Sequence, residues 1–286
     1  MSDITEAPPR AASSKQTQAN PRGSFIWYEL MSPDPAASKA FYDAVVGWDI
    51  DVDSVAPGID YRMIKRSDGG NAGGVLTLTE EIRSHGARPV WLGYLHVNDV
   101  DSAAEAIRAD GGQVMMPPWD QPGVGRLAMV ADPQGAPFYV MAPLPPEGDP
   151  DATSDVFSVD RPQHVRWNEL STSDQPAAID FYQRHFGWDQ EGSMDMGEMG
   201  SYAFVQHDGV GIGAIMPRMP EMPVSLWTYY IGVNDIDRAA SDVTSGGGKI
   251  LNGPMEIPGG EYALNAMDPQ GASFGLVGPR RRQGEQ

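Results

Sequence analysis

Few side chains in this sequence have the type and placement to do chemistry, and the most suggestive of them occurs twice. Glu29 lies in FIWYEL (25–30), and Glu169 holds the same place in VRWNEL (165–170). The first copy adds His96 in WLGYLHV (91–97), where the second copy, WTYYIGV (227–233), has Gly232. A carboxylate and an imidazole on neighbouring strands are the minimum set for general acid–base work, or for holding a cationic or hydroxylated ligand. The competing reading is structural. Because the glutamate recurs and the histidine does not, Glu29 and Glu169 equally suit a role in bonding backbone or a nearby tyrosine. The other histidines (His85, His164, His185 and His207) fall in unrelated segments, and no pair of them has the spacing of a metal motif. His185, in RHFGW, reads as a cation in the last turn of a helix. The sequence has no cysteine, which removes thiolate ligands, thiol nucleophiles and disulfides at once. Its glycine pairs do not open a helix after a strand, so they read as turns and not as phosphate cradles.

These residues need elements to position them, and the chain supplies the same elements repeatedly. FIWYELMSPDPAASKAFYDAVVGWD (25–49) returns as VRWNELSTSDQPAAIDFYQRHFGWD (165–189), 140 residues later. WLGYLHVNDVDSAA returns as WTYYIGVNDIDRAA and DPQGAPFYV as DPQGASFGL, both 136 residues later. The four-residue slip falls in TLTEEIRSHGARP, before Trp91. Two homologous domains are therefore expected at 24–143 and 163–279. A Pro- and Asp-rich linker (144–162) separates them, and solvated tails are expected at 1–22 and 280–286. Within a copy, an alternating aromatic strand leads to Asp34-Pro35, a cap followed by a first-turn proline. Ala37, Ala40, Phe41, Ala44 and Val45 then form a helical face that Gly47 ends. YRMIK, GGVLTL and WLGYLHV read as strands, and Asp99 opens a second helix ending at Gly111–Gly112. QVMMP, RLAMVAD and PFYVMA close the copy, the last two joined by a DPQG turn. Each domain is thus two βαβββ halves. Met115, Met116, Trp119, Met194, Met196 and Met199 fall on loops or strand ends, as satellite core or pocket lining.

Composition narrows the partners. Lys and Arg number 20 against 39 Asp and Glu, a net charge of −19 that repels phosphate backbones and argues against nucleic acid. No run of eighteen apolar residues offers a membrane span, and residues 1–22 lack the apolar stretch of a secretory signal. A cytoplasmic protein, as monomer or homodimer, is the expectation.

A strand, a helix carrying FY and a GW stop, a V-N-D start to the second helix and a DPxG turn before the last strand occur in that order, twice over. In this the sequence resembles the vicinal oxygen chelate superfamily, which includes glyoxalases, bleomycin-resistance proteins and extradiol dioxygenases. The resemblance spans both domains. It implies an α+β fold of two tandem domains, each of paired βαβββ modules curving a half-open sheet around a small-molecule cavity. It also implies a divalent metal, held by His or Glu at fixed places. Carried over position by position, those places are Trp27 and Trp167, Leu92 and Thr228, and Tyr139 and Gly275. None is a histidine or carboxylate, and an indole N–H has no lone pair to offer a cation. No metal or other cofactor is therefore expected, unless a divalent ion binds at a non-standard site.

Strand parity then fills the implied cavity. In copy one it holds Trp27, Glu29, Tyr94, His96 and Tyr139; in copy two, Trp167, Glu169, Thr228 and Tyr230. Gly232 and Gly275 leave the second cavity chemically poorer, and either wider or filled from elsewhere. Two functions of different class follow. One is a metal-free module binding a small apolar or aromatic molecule. The other is a lyase, isomerase or dioxygenase-like enzyme of the same superfamily, with Glu29 as base and His96 as its proton partner.

Overall fold

A computed structural model describes residues 20–56, 58–149 and 151–281. The tails expected at 1–22 and 280–286 fall outside these residues for 1–19 and 282–286. Four modules follow one another. The first is β1 (Phe25–Ser32), α1 (Pro35–Val46), β2 (Asp49–Ile50), β3 (Tyr61–Lys65) and β4 (Asn71–Thr77). After a short α2 (Glu80–Ser84), the second is β5 (Val90–His96), α3 (Val100–Ala109), β6 (Gln113–Gln121), β7 (Gly125–Ala131) and β8 (Pro137–Pro143). The third runs β9 (Val165–Thr172), α4 (Gln175–Phe186), β10 (Asp189–Asp195), β11 (Ser201–His207) and β12 (Val210–Pro217). The fourth is β13 (Leu226–Gly232), α5 (Ile236–Ser245), β14 (Lys249–Glu256), β15 (Tyr262–Met267) and β16 (Ser273–Gly278). The strands make two eight-stranded mixed sheets, one per repeat, ordered β2-β3-β4-β1-β5-β8-β7-β6 and β10-β11-β12-β9-β13-β16-β15-β14. Neither is a closed barrel; this is the α+β tandem architecture the repeat implied.

The helices start and stop where the sequence signals them. Asp34 and Asp174 cap α1 and α4 by accepting from the amides of Ala37 and Ala177. Gly47 and Gly187 end them in the left-handed region, at φ 84° and 70°, where a side chain is strained. The buried stripe of α1 departs from the expected one. Ser38, Phe41, Tyr42, Val45 and Val46 face inward, whereas Ala40 and Ala44 are exposed. Burying Tyr42 and Phe41 removes far more apolar surface than burying methyl groups, so the large side chains set the rotation of the helix. The elements α2, β2 and β10 carry no clear signal in the sequence. Thr79 caps α2 inside the four-residue slip, and β10 makes a strand of the mostly polar stretch DQEGSMD. The strand β6 also runs on through Pro117 and Pro118 to Gln121. Bulges between Val114 and Trp119 take the prolines out of the ladder. Met115, Met116 and Trp119 consequently stand on a strand, Met194 lies on β10 and Met199 on a 3-10 turn.

The chain divides into two compact units that draw on both repeats. Among the described residues, unit 1 contains 93–154 and 168–227; unit 2 contains 27–92, 155–167 and 228–281. Each unit has an aromatic core closed by the same hydrogen-bonded chain. In unit 2, Trp91 Nε1 donates to Tyr42 Oη (2.9 Å), which donates to Asp268 Oδ2 (3.0 Å). The other oxygen of Asp268 accepts from the amides of Gln270, Gly271 and Ala272, fixing the DPQG turn. In unit 1, Trp227 Nε1 donates to Tyr182 Oη (3.2 Å), which donates to Asp132 Oδ2 (3.1 Å). The tyrosines, tryptophans and aspartates that recur in the sequence are thus cross-braces between modules of different repeats. Phe41 and Phe274 in unit 2, and Phe138 and Phe186 in unit 1, pack around the two tyrosines.

Candidate functional site

Strand parity decides which side chains face the helices and which do not. Ser32 Oγ bonds Ser38 Oγ on α1 at 2.8 Å, so Tyr28 and Leu30 share the helix side of β1. Trp27 and Glu29 stand on the opposite face. Trp91 turns toward Tyr42, which leaves Leu92, Tyr94 and His96 on the helix-free face of β5. Phe138 packs on Tyr182, leaving Tyr139 on that face of β8, and Trp227 packs on Tyr182, leaving Thr228 and Tyr230 on that face of β13.

In unit 2 the helix-free face of the first module is a hydrogen-bonded trio. Trp27 Nε1 donates to Tyr61 Oη at 2.7 Å, and the Tyr61 hydroxyl is bonded to the Glu29 carboxylate. Glu29 is 2 % exposed. Gly74, in register with Glu29, makes the trio possible, since a Cβ there would meet the Tyr61 ring at 2.3–2.4 Å. Burial and the adjacent carboxylate push the Tyr61 hydroxyl well above its ordinary pKa, so it is a donor and not a phenolate. In unit 1 Tyr202 Oη donates to Glu169 Oε2 at 2.7 Å, repeating the glutamate–tyrosine pair. Neither tyrosine was singled out in the sequence. Their positions differ by 141 residues where the surrounding match runs at 140, so a one-residue slip hid the recurrence.

The helix-free face of the second module, in unit 1, is aromatic. Tyr94 and Tyr139 stack with ring centroids 4.3 Å apart, and Trp119 meets Tyr139 edge-on at 6.2 Å. His96 ends β5; its Nδ1 has no hydrogen-bond partner among the described residues. Glu29 belongs to unit 2 and His96 to unit 1. In the fourth module, Tyr230 Oη accepts from Asn265 at 2.8 Å, and its ring lies over Gly275, where a Cβ would meet it at 2.4–2.7 Å. A side chain at 232 would run into Arg166, which is paired to Glu261 at 2.7 Å. The space left by these two glycines is therefore filled, by Tyr230 and Arg166. In unit 2, Trp167 is half-buried and Thr228 is buried.

This donor set does not fit a metal at the places the resemblance implied. The Trp27 indole is committed as a donor to Tyr61, the Tyr139 ring is stacked on Tyr94, and the Tyr230 ring covers Gly275. One group of three metal-capable side chains does come together among the described residues, elsewhere: Asp68, Asp155 and His164, in unit 2. No helix among the described residues is long and apolar enough to cross a membrane.

Known proteins place this geometry. The sequence pattern of the Glyoxalase/Bleomycin resistance protein/Dioxygenase superfamily matches residues 24–140 and again 161–276. A Mycobacterium tuberculosis protein named "Putative glyoxylase CFP32" is 31 % identical over 92 % of this chain and 97 % of its own. The anthracycline biosynthesis protein DnrV of Streptomyces peucetius is 32 % identical over 89 % of this chain and 93 % of its own. Among solved structures, the Mn(II)-bound glyoxalase of Novosphingobium aromaticivorans superimposes with a TM-score of 0.57 at 18 % identity, over 91 % of this chain and 83 % of that one; at that identity the likeness speaks for the fold. With its pattern matched twice along the chain, the protein belongs to the Glyoxalase/Bleomycin resistance protein/Dioxygenase superfamily as a tandem two-domain member.

Proposed function

We propose that the chain binds a small aromatic molecule bearing hydroxyl or amine groups, on the helix-free faces of its sheets and without a metal at the family's usual positions. The observation that carries this reading is the glutamate–tyrosine pair present in both repeats. In each pair a phenol holds the carboxylate, buried at Glu29 and half-buried at Glu169, in a fixed orientation on the sheet face. Trp27, Tyr94, Tyr139 and Trp167 supply flat apolar surface for stacking, and Thr228 and Tyr230 add a smaller share. The name of the Streptomyces peucetius relative makes a hydroxylated polycyclic aromatic the first compound to try.

A second reading, catalysis, is favoured by one observation: the buried Nδ1 of His96 has no hydrogen-bond partner among the described residues, in the copy that also has Glu29. In this reading Glu29 is the general base and His96 the proton partner, each role tested separately by substitution. Titrating the protein with such aromatics and following tryptophan fluorescence tests both readings. Saturable quenching that weakens about tenfold in Trp27→Ala and Glu29→Gln supports the binding site. Quenching unchanged by either substitution would overturn it, and so would Mn(II) binding that Glu29→Gln abolishes. Turnover of a bound compound that Glu29→Gln and His96→Gln both remove, while Glu169→Gln does not, would make the protein an enzyme.

A further inference from the structure

The segment between the repeats brings Asp155 and His164 against the β3–β4 turn of unit 2. Arg66, 2 % exposed at its side chain, reaches Asp155 Oδ2 at 2.7 Å and Asp68 Oδ1 at 3.0 Å. Arg161 lies at 3.3 Å from Asp155 Oδ2 and 3.8 Å from Asp68 Oδ2. These ion pairs account for the carboxylates. They do not account for His164.

The His164 side chain is also only 2 % exposed. Its Nδ1 lies 2.8 Å from the Pro162 carbonyl; a carbonyl only accepts, so Nδ1 carries the proton. In the neutral ring Nε2 then presents a lone pair. That nitrogen is buried without a partner, and faces Asp155 Oδ2 at 4.0 Å. Both atoms are acceptors, and no described residue donates between them. A backbone carbonyl on Nδ1 that fixes the tautomer and aims Nε2 is the arrangement in which metal-bound imidazoles are held.

We propose that Asp68, Asp155 and His164 form a site for a zinc-class divalent cation, which takes the place of the Arg161 guanidinium. The three ligand atoms lie within 4.8 Å of one another. Ligands on one tetrahedral zinc are about 3.5 Å apart, so the group closes by about 1 Å on binding. The exposed Asp68 and Asp155 side chains can supply that movement while His164 stays anchored. An imidazole with two carboxylates suits zinc, nickel or copper better than calcium or magnesium, which prefer oxygen alone. Arg161, 48 % exposed at its side chain, is free to swing into solvent, whereas buried Arg66 remains to orient both carboxylates. The ion would clamp the segment containing Asp155 and His164 to the β3–β4 turn, with a fourth position left open to water.

Zinc titration of the full chain by calorimetry, with cobalt(II) absorption as a second readout, tests the site. One saturable equivalent is expected. His164→Gln and Asp155→Asn should each weaken it by about tenfold or more, and Arg161→Ala should tighten it by about tenfold because a competing cation is gone. Absence of saturable binding, or folded His164→Gln and Asp155→Asn proteins with unchanged affinity, would overturn the proposal, as would weaker binding in Arg161→Ala. If His164→Gln does not fold, Asp68→Asn on the exposed turn decides: about tenfold weaker binding supports the site and unchanged affinity overturns it.

Discussion

At the scale of single residues, the two tyrosine hydroxyls at the unit cores do more than fill space. Each accepts from a tryptophan and donates to a buried aspartate, so Tyr42→Phe strands both Trp91 Nε1 and Asp268 Oδ2, and Tyr182→Phe does the same to Trp227 and Asp132. Each substitution should cost about 2–3 kcal/mol in urea unfolding. The cost should also depend on pH. Burial holds the carboxyls of Asp132 and Asp268 above the ordinary aspartate range, against the pull of their hydrogen bonds. A carboxyl whose pKa is raised on folding keeps its proton in the folded state after the unfolded chain has lost it. Its stabilisation is therefore full below the unfolded value of 3.8 and declines as pH rises toward the folded one. The tyrosine bond favours the charged form, so removing it hurts most when the aspartate is ionised. Unfolding curves at about pH 4 and about pH 7 should show the larger Tyr→Phe penalty at the higher pH; an equal penalty would mean that the aspartates do not change charge over this range.

At the scale of elements, the α4 stop isolates a backbone effect. Gly187 sits at φ 70°, and a Cβ there would have as its nearest outside neighbour an Arg22 nitrogen, 4.0 Å away. Gly187→Ala should cost about 1–2 kcal/mol from the left-handed backbone alone. Gly47→Ala should cost at least as much, since a Cβ there also meets Gln163 Nε2 at 3.1 Å. Thermal melts of the two variants check the order. Asp99→Ala, which removes the side-chain acceptor for the Ser102 amide at the start of α3, should cost about 1 kcal/mol. These starts and stops were legible because capping is local chemistry. β10 and the far half of β6 were not, because the polar DQEGSMD of β10 and the prolines of β6 carry little strand preference. They are strands because a partner, β11 or β7, lies alongside.

At the scale of the whole molecule, the repeats and the compact units do not coincide. Tyr42 is braced by Asp268, and Tyr182 by Asp132, across 226 and 50 residues of chain. A fragment ending at residue 143 keeps α1 without Phe274 and Asp268, and β8 without Tyr182 and Phe186, so two aromatic faces are left bare. We expect that fragment to self-associate, and light scattering behind a sizing column checks it; a folded, monodisperse monomer would show that one repeat needs nothing from the other.

What the sequence determined by itself was the modular order: four βαβββ units, their caps, and the side of each strand that bears Glu29, Tyr94, His96 and Tyr139. All of that follows from period-two and period-3.6 patterns and from a repeat, which are properties of neighbours along the chain. Tertiary structure alone decided who meets whom. Tyr61 reaches Glu29 because β3 and β4 bring it over Gly74, and Asp268 meets Tyr42 because the fourth module packs on the first. Asp68 meets Asp155 and His164 because the intervening segment lies on the β3–β4 turn. Residues separated by tens to hundreds of positions share no local pattern; only burial of their common surface brings them together.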